Sequence, residues 1–197
     1  MAYASVADYR SRVGILTGVD DVTLQAQLDA VSAYLDRRLG RSFGLEAQAT
    51  PRYFGGTGSV LWIDDCGVSP QAVEADLDGD GTYELTVPLS AVLLEPANAL
   101  ARGWPVTRLV LRSGNGVLAA WPSQPQSVRV TARWGWPVVP GPIREATVVI
   151  VRQLRDLGLG GVLQAVTQLD AAVQRSDVLP GLIRDLVREY GRVVWVP

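Results

Sequence analysis

From Gly44 to Pro140 the chain is interrupted every few residues by glycine, proline, aspartate or asparagine, which leaves short apolar stretches at 52–54, 60–63, 72–75, 83–87, 108–111 and 127–136. This texture is the signature of a β-rich segment. In the last stretch Val128, Val130, Ala132, Trp134 and Trp136 share one face, while Arg129, Thr131 and Arg133 share the other. One side therefore packs inward, and the two tryptophans read as core rather than as a ligand platform.

On both sides of this segment the period changes to that of a helix. Ser5 is placed to cap a short helix reaching about Val13, and Asp20 and Asp21 start a second after the breaks at Gly14 and Gly18. Leu24, Leu28, Val31, Leu35 and Leu39 recur at spacings of three and four, an amphipathic stripe that ends at Gly40. Beyond Pro140, Gly141 and Pro142, a third helix carries Ile143, Thr147, Ile150, Leu154 and Leu157 on one stripe, with Val148, Val149 and Val151 widening it. Such a helix is either sandwiched within its own fold or part of a subunit contact. Residues 162–174 fit a helix or an extended arm equally. Ser176 or Asp177 with Pro180 restarts a helix bearing Leu182, Ile183, Leu186, Val187 and Tyr190, and 193–196 form a β-prone apolar tail suited to docking on another chain. The expected fold is α+β: helical N- and C-terminal blocks (1–44 and 140–197) packed together, with an inserted antiparallel β-rich region (45–139), one compact subunit overall.

Composition removes several chemistries. All 18 basic side chains are arginine, because the chain has neither lysine nor histidine. A lysine phosphate loop, Schiff-base catalysis and an imidazole-based triad cannot be built. The net charge of −2 gives no general attraction to nucleic acid. Cys66, the single cysteine, forms no internal disulfide and reads as a small apolar residue at a strand end. The first ten residues lack the apolar run of a secretory signal, and runs such as 148–151 fall far short of the ~20 residues needed to cross a bilayer, so no membrane association is expected.

Four motifs invite a chemical reading. Asp76, Asp78, Asp80 and Gly81, followed by Thr82 and Glu84, match the first half of a calcium loop, but the twelfth position is Val87 where a bidentate glutamate belongs. The alternative is a hairpin tip rich in residues that tolerate positive φ. Asp78, Asp80 and Thr82 also have the spacing of an aspartyl-phosphate nucleophile motif, yet Glu74 and Asp76 stand where its buried strand belongs. Gly55, Gly56 and Gly58 read as a hairpin turn, since no lysine-bearing helix start follows. Arg37, Arg38 and Arg41 complement the dipole at the end of the long helix, or meet an acidic partner or passing DNA. No catalytic, cofactor-binding or metal-ligating residue is assigned, and no cofactor is expected.

Four segments, in order, carry a resemblance: Y-L-D-R-R-L-G-R-S-F at 34–43, T-P-R-Y-F-G-G-T-G-S at 50–59, V-E-A-D-L-D-G-D-G-T-Y-E at 73–84 and T-A-R-W-G-W-P-V-V-P-G-P-I-R-E-A-T at 131–147. Together they resemble the head-to-tail connector, or adaptor, proteins of long-tailed bacteriophages and related gene-transfer particles. The likeness runs to about Leu157 and weakens over 162–174. It implies a structural virion protein without enzymatic activity, assembled in the host cytoplasm and residing in the neck. It further implies a homo-oligomeric ring, commonly a dodecamer, that binds beneath the portal protein and receives a stopper or tail-completion protein. Double-stranded DNA would pass through its channel without specific binding. A weakly acidic chain suits such a channel, because tight phosphate binding would impede ejection. The third helix and the tail from Val193 are the places where ring contacts and portal docking are expected. The competing class is a calcium-stabilised β-rich binding module built on the 76–84 loop.

Overall fold

The apolar stripe of the long helix cannot be covered by its own neighbours in sequence, and this decides how the chain is organised. A computed structural model describes residues 2–14, 20–158, 173–174 and 176–192. The chain divides into two units, one made of Met1–Phe43 with Val139–Pro197 and the other of Gly44–Val138.

In the first unit, α1 (Val6–Val13) opens with a capping box: the Ser5 hydroxyl accepts the Asp8 N–H at 3.1 Å, and the Asp8 carboxylate accepts the Ser5 N–H at 2.8 Å. α2 (Asp21–Leu39) is capped by Asp20, which accepts the Thr23 N–H at 2.6 Å, and stops at Gly40. α3 (Gly141–Asp156) has a proline in its first turn, as does α4 (Leu179–Tyr190), whose first N–H groups are met by the Ser176 hydroxyl. Leu24, Leu28, Val31, Leu35 and Leu39 of α2 are buried, with α3 and α4 packed against that helix. Tyr3 secures the chain before α1. Its N–H donates to the Ser32 hydroxyl at 2.9 Å, its hydroxyl donates to Asp36 and accepts the Phe43 N–H at 2.9 Å, and Phe43 stands edge-on between Tyr3 and Tyr190.

The second unit holds seven strands in two antiparallel sheets. β1 (Thr50–Phe54), β7 (Val128–Ala132), β3 (Ala72–Ala75) and β4 (Leu85–Thr86) form one in that order; β2 (Val60–Cys66), β6 (Val106–Leu111) and β5 (Val92–Glu95) form the other. Alternate residues of both sheets, among them Leu61, Ile63, Val73, Ala75, Leu109, Leu111, Val128, Val130 and Ala132, share one apolar core with Trp121 and Trp134. Trp134 and Trp136 are both buried, and their indole N–H groups donate to the Thr50 carbonyl at 2.8 Å and the Asp65 carboxylate at 3.2 Å.

The expected fold, a helical N-terminal block and a helical C-terminal block packed together with an inserted antiparallel β-rich region, is corrected on two points. Residues 1–44 do not form a helical block of their own, because α2 reaches full burial only with α3 and α4 from the far end of the chain against it. The central region is two sheets: β1 and β2, adjacent in sequence, belong to different ones. At the glycines 55, 56 and 58 the chain passes from one sheet to the other: Thr57 and Val60 exchange both backbone hydrogen bonds in a tight antiparallel turn around Gly58 and Ser59, but β1 and β2 on either side are not paired with each other. The stretch 83–87 contributes only a two-residue strand, and β5 appears where no strand was expected.

Candidate functional site

β3 and β4 are paired, Glu74 opposite Thr86 and Ala75 opposite Leu85, so residues 76–84 are the loop of a hairpin. Asp76 is buried at its base, with its N–H on the Ser127 carbonyl and its two carboxylate oxygens accepting the N–H groups of Gly79 at 2.7 Å and Gly81 at 2.9 Å. Burial, the largest single influence, works upward on this carboxyl, but the N–H groups of Gly79 and Gly81 together with hydrogen bonds from Asp78 hold Asp76 below the usual carboxylate range. Gly79 and Gly81 have φ of 82° and 87°, the backbone that lets the loop fold over Asp76. Oxygens of Asp76, Asp78 and Glu84 lie within 4.8 Å of one another, the donor set with which this loop can hold a hard cation. Asp80, part of the sequence motif, is not in that set; its carboxylate accepts the Thr82 N–H at 2.6 Å, while Glu84 accepts the Leu77 N–H at 2.8 Å.

Beside the loop, the outer face of the first sheet carries a polar aromatic group. Arg129 makes a bidentate pair with Glu74 at 2.8 and 2.9 Å and lies 4.5 Å from the centre of the Tyr83 ring, which in turn meets Tyr53 at 5.9 Å. Arg129 holds Glu74 below the usual carboxylate range, so the pair is fully charged at neutral pH.

The outer face of the second sheet combines exposed apolar side chains with an ion pair. Register places Val60, Val110 and Leu93 in one cross-strand row, and Trp62, Arg108 and Glu95 in the next. Trp62 is 62% exposed, with the Arg108 guanidinium 5.0 Å from its ring centre and Glu95 at 3.6 Å from that guanidinium; Leu93 is 37% exposed. Sequence reasoning missed this face. The run V-L-W-I at 60–63 is apolar throughout, so alternation gives no sign that Trp62 points outward while Leu61 and Ile63 point inward.

An open cleft of about 640 Å³ is lined by Ser59 and residues 111–119, but its one amide side chain, Asn115, is bonded to the backbone of Arg112, Val117 and Leu118. It presents no acid–base pair. Cys66 ends β2 fully buried, with burial pushing its thiol up to about 11. Arg41 donates to the Tyr190 carbonyl at 3.1 Å, closing the end of α4, while Arg37 and Arg38 are exposed in the last turn of α2.

Of the two expected contact surfaces, the one on α3 is corrected. Val148 and Val151 of α3 are buried along with Ile143, Ile150 and Leu154, so the wide apolar surface of that helix belongs to the interior. The tail from Val193 and most of the arm at 162–174 lie outside the described residues. Among the described residues no helix is long and apolar enough to cross a membrane. The chain matches no family model, and a comparison with curated proteins finds no match.

Proposed function

We propose that the chain is a structural virion protein of a tailed bacteriophage, a head-to-tail adaptor that assembles into a ring beneath the portal. The ring joins capsid to tail and surrounds the channel through which viral DNA leaves. The observation that carries this reading is the large apolar side chains on the outside of both units, Trp62 and Leu93 on one and Val22 and Val178, 80% and 59% exposed, on the other. Side chains of this size in water favour association with another protein surface. The ordered resemblance to connector proteins says which kind of association, and the absence of lysine and histidine argues against catalysis. Mixing the purified chain with its portal tests the reading: a ring on the portal supports it, and no change in mass on mixing counts against it.

The oxygen cluster of Asp76, Asp78 and Glu84 favours a second reading, a calcium-stabilised binding module. The two part on one measurement. The adaptor reading expects the melting temperature to be the same in calcium and in chelator, whereas the binding-module reading expects a rise with calcium that Asp78→Asn abolishes.

A further inference from the structure

The chain has two asparagines, Asn98 and Asn115, and only Asn115 is followed by a glycine. Asparagine is among the chemically labile residues of proteins, because the main-chain nitrogen of the next residue can attack the side-chain Cγ. A glycine in that next position leaves the nitrogen unshielded by any Cβ. Gly116 is exposed, with φ of +73° and no atom within 4 Å of the place a Cβ would take. Water and base therefore reach the pair from solvent.

Against this exposure stands the hydrogen bonding of the Asn115 side chain. Its Nδ2 donates to the Arg112 carbonyl at 2.8 Å and to the Leu118 carbonyl at 2.9 Å, and its Oδ1 accepts the Val117 N–H at 2.8 Å and the Leu118 N–H at 2.9 Å. An amide side chain has two N–H donors and two lone pairs on its oxygen, so all of its capacity is used within residues 112–118. The side chain is the template on which that loop closes. We propose that Asn115–Gly116 is a modification site guarded by its own loop: the closed loop keeps the amide, an opened loop loses it to deamidation, and the acid that results does not close the loop again.

In the reaction the Gly116 nitrogen bonds to Cγ, the Cγ–Nδ2 bond breaks, and ammonia departs with the proton of the Gly116 N–H. Water then opens the five-membered imide at either carbonyl, leaving aspartate or isoaspartate. The sum is amide and water giving acid and ammonia, with no oxidation. The two N–H groups on Oδ1 favour charge on that oxygen, but Nδ2 is held between two carbonyls and leaves only after both of those bonds break. The product does not fit the closed loop. A carboxylate has no N–H to donate, so it sets an anionic oxygen against the carbonyl oxygens of Arg112 and Leu118. Isoaspartate also adds a main-chain carbon between Gly114 and Gly116, both left-handed. Val117 and Leu118, now packed against the core of the β-sheet unit, would then face water.

Incubating the purified chain in mildly alkaline buffer, followed by trypsin and mass spectrometry, tests the proposal. Cleavage after Arg112 and Arg129 isolates residues 113–129, where deamidation adds about one dalton and fragmentation distinguishes Asn115 from Gln124 and Gln126. Conversion is expected to be at least about tenfold slower in the folded chain than in the free peptide 110–120 or in urea. Opening the loop breaks the four hydrogen bonds of the amide, each worth about a fivefold preference for the closed form. Hydrogen exchange gives a second reading: Asn115→Asp should raise exchange at Val117 and Leu118 at least about tenfold and leave that of β6 unchanged. Equal rates in the folded chain and the peptide, or unaltered exchange at Val117 and Leu118 in Asn115→Asp, overturns the proposal.

Discussion

Gly135→Ala is the substitution whose cost the structure fixes most closely. Gly135 has φ of +108°, and a Cβ built there stands 1.8 Å from the Gly44 carbonyl oxygen, with the Gly44 carbon at 2.7 Å. Backbone in this region costs a non-glycine residue roughly 1–3 kcal/mol. Relieving the overlap means separating the 44–46 segment from 134–135 by more than about 1 Å, since even a close C–H···O contact needs about 3.3 Å. Two hydrogen bonds hold the neighbourhood in place, Gly135 N–H to the Asp65 carbonyl at 2.7 Å and Glu46 N–H to the Trp134 carbonyl at 2.8 Å. At about 1 kcal/mol each, their weakening brings the total to about 3–5 kcal/mol, a large part of the 5–15 kcal/mol typical of a whole domain. Gly116→Ala is the matched control, because its φ is +73° but no atom lies within 4 Å of the added Cβ. It should carry only the conformational cost. Urea unfolding followed by tryptophan fluorescence reads the difference well, as five of the six tryptophans (62, 104, 121, 134 and 136) lie in this unit. Equal losses at 135 and 116 would show that the close approach of the two segments is not what the structure says it is.

Three further outcomes are expected. With its thiol raised by burial to about 11, only about one Cys66 in a thousand is ionised at pH 8, so Ellman's reagent should label the folded chain slowly and the urea-unfolded chain at once; fast labelling of folded protein contradicts the burial. Burial also raises Asp36, against the opposing Tyr3 hydroxyl, so its ionised form weakens the fold at neutral pH and the penalty disappears as pH falls below the unfolded value near ~4. Asp36→Asn, whose amide oxygen can still accept the Tyr3 hydroxyl, should therefore be the more stable protein at pH 7 and lose that advantage in acid, as thermal melts across pH would show. Leu186→Ala should lower the stability of the helical unit by roughly 2–5 kcal/mol in chemical unfolding, since Leu186 is only 4% exposed and packs as core.

What could be read from sequence divides along the range of the interactions. Helix ends are local, and the capping signals at Ser5, Asp20 and Gly40 together with the stripe from Leu24 to Leu39 place α1 and α2 within a residue of where they lie. Strand pairing is not local. Nothing in 50–54 and 60–66 says that they join different sheets, because pairing depends on β7 and β6, far along the chain. β5 escaped notice because V-L-L-E has neither alternation nor the aromatic and β-branched enrichment of its neighbours. The double apolar face of α3 left open whether that surface is interior or interface, and only the burial of Val148 and Val151 decides it. In the acidic loop the alternating aspartates were legible, but the chain folds back to bring in Glu84 and leaves Asp80 outside, a consequence of loop conformation that spacing does not encode.

Assembly on a portal is the function proposed for this chain. Its most direct test is the mass of the purified protein by light scattering, alone and with the cognate portal, with the same samples imaged in negative stain. The adaptor reading predicts a low mass for the free chain and a ring seated on the portal after mixing. A mass that is indifferent to the portal, with no ring in the images, would contradict it and turn attention to calcium at Asp76, Asp78 and Glu84.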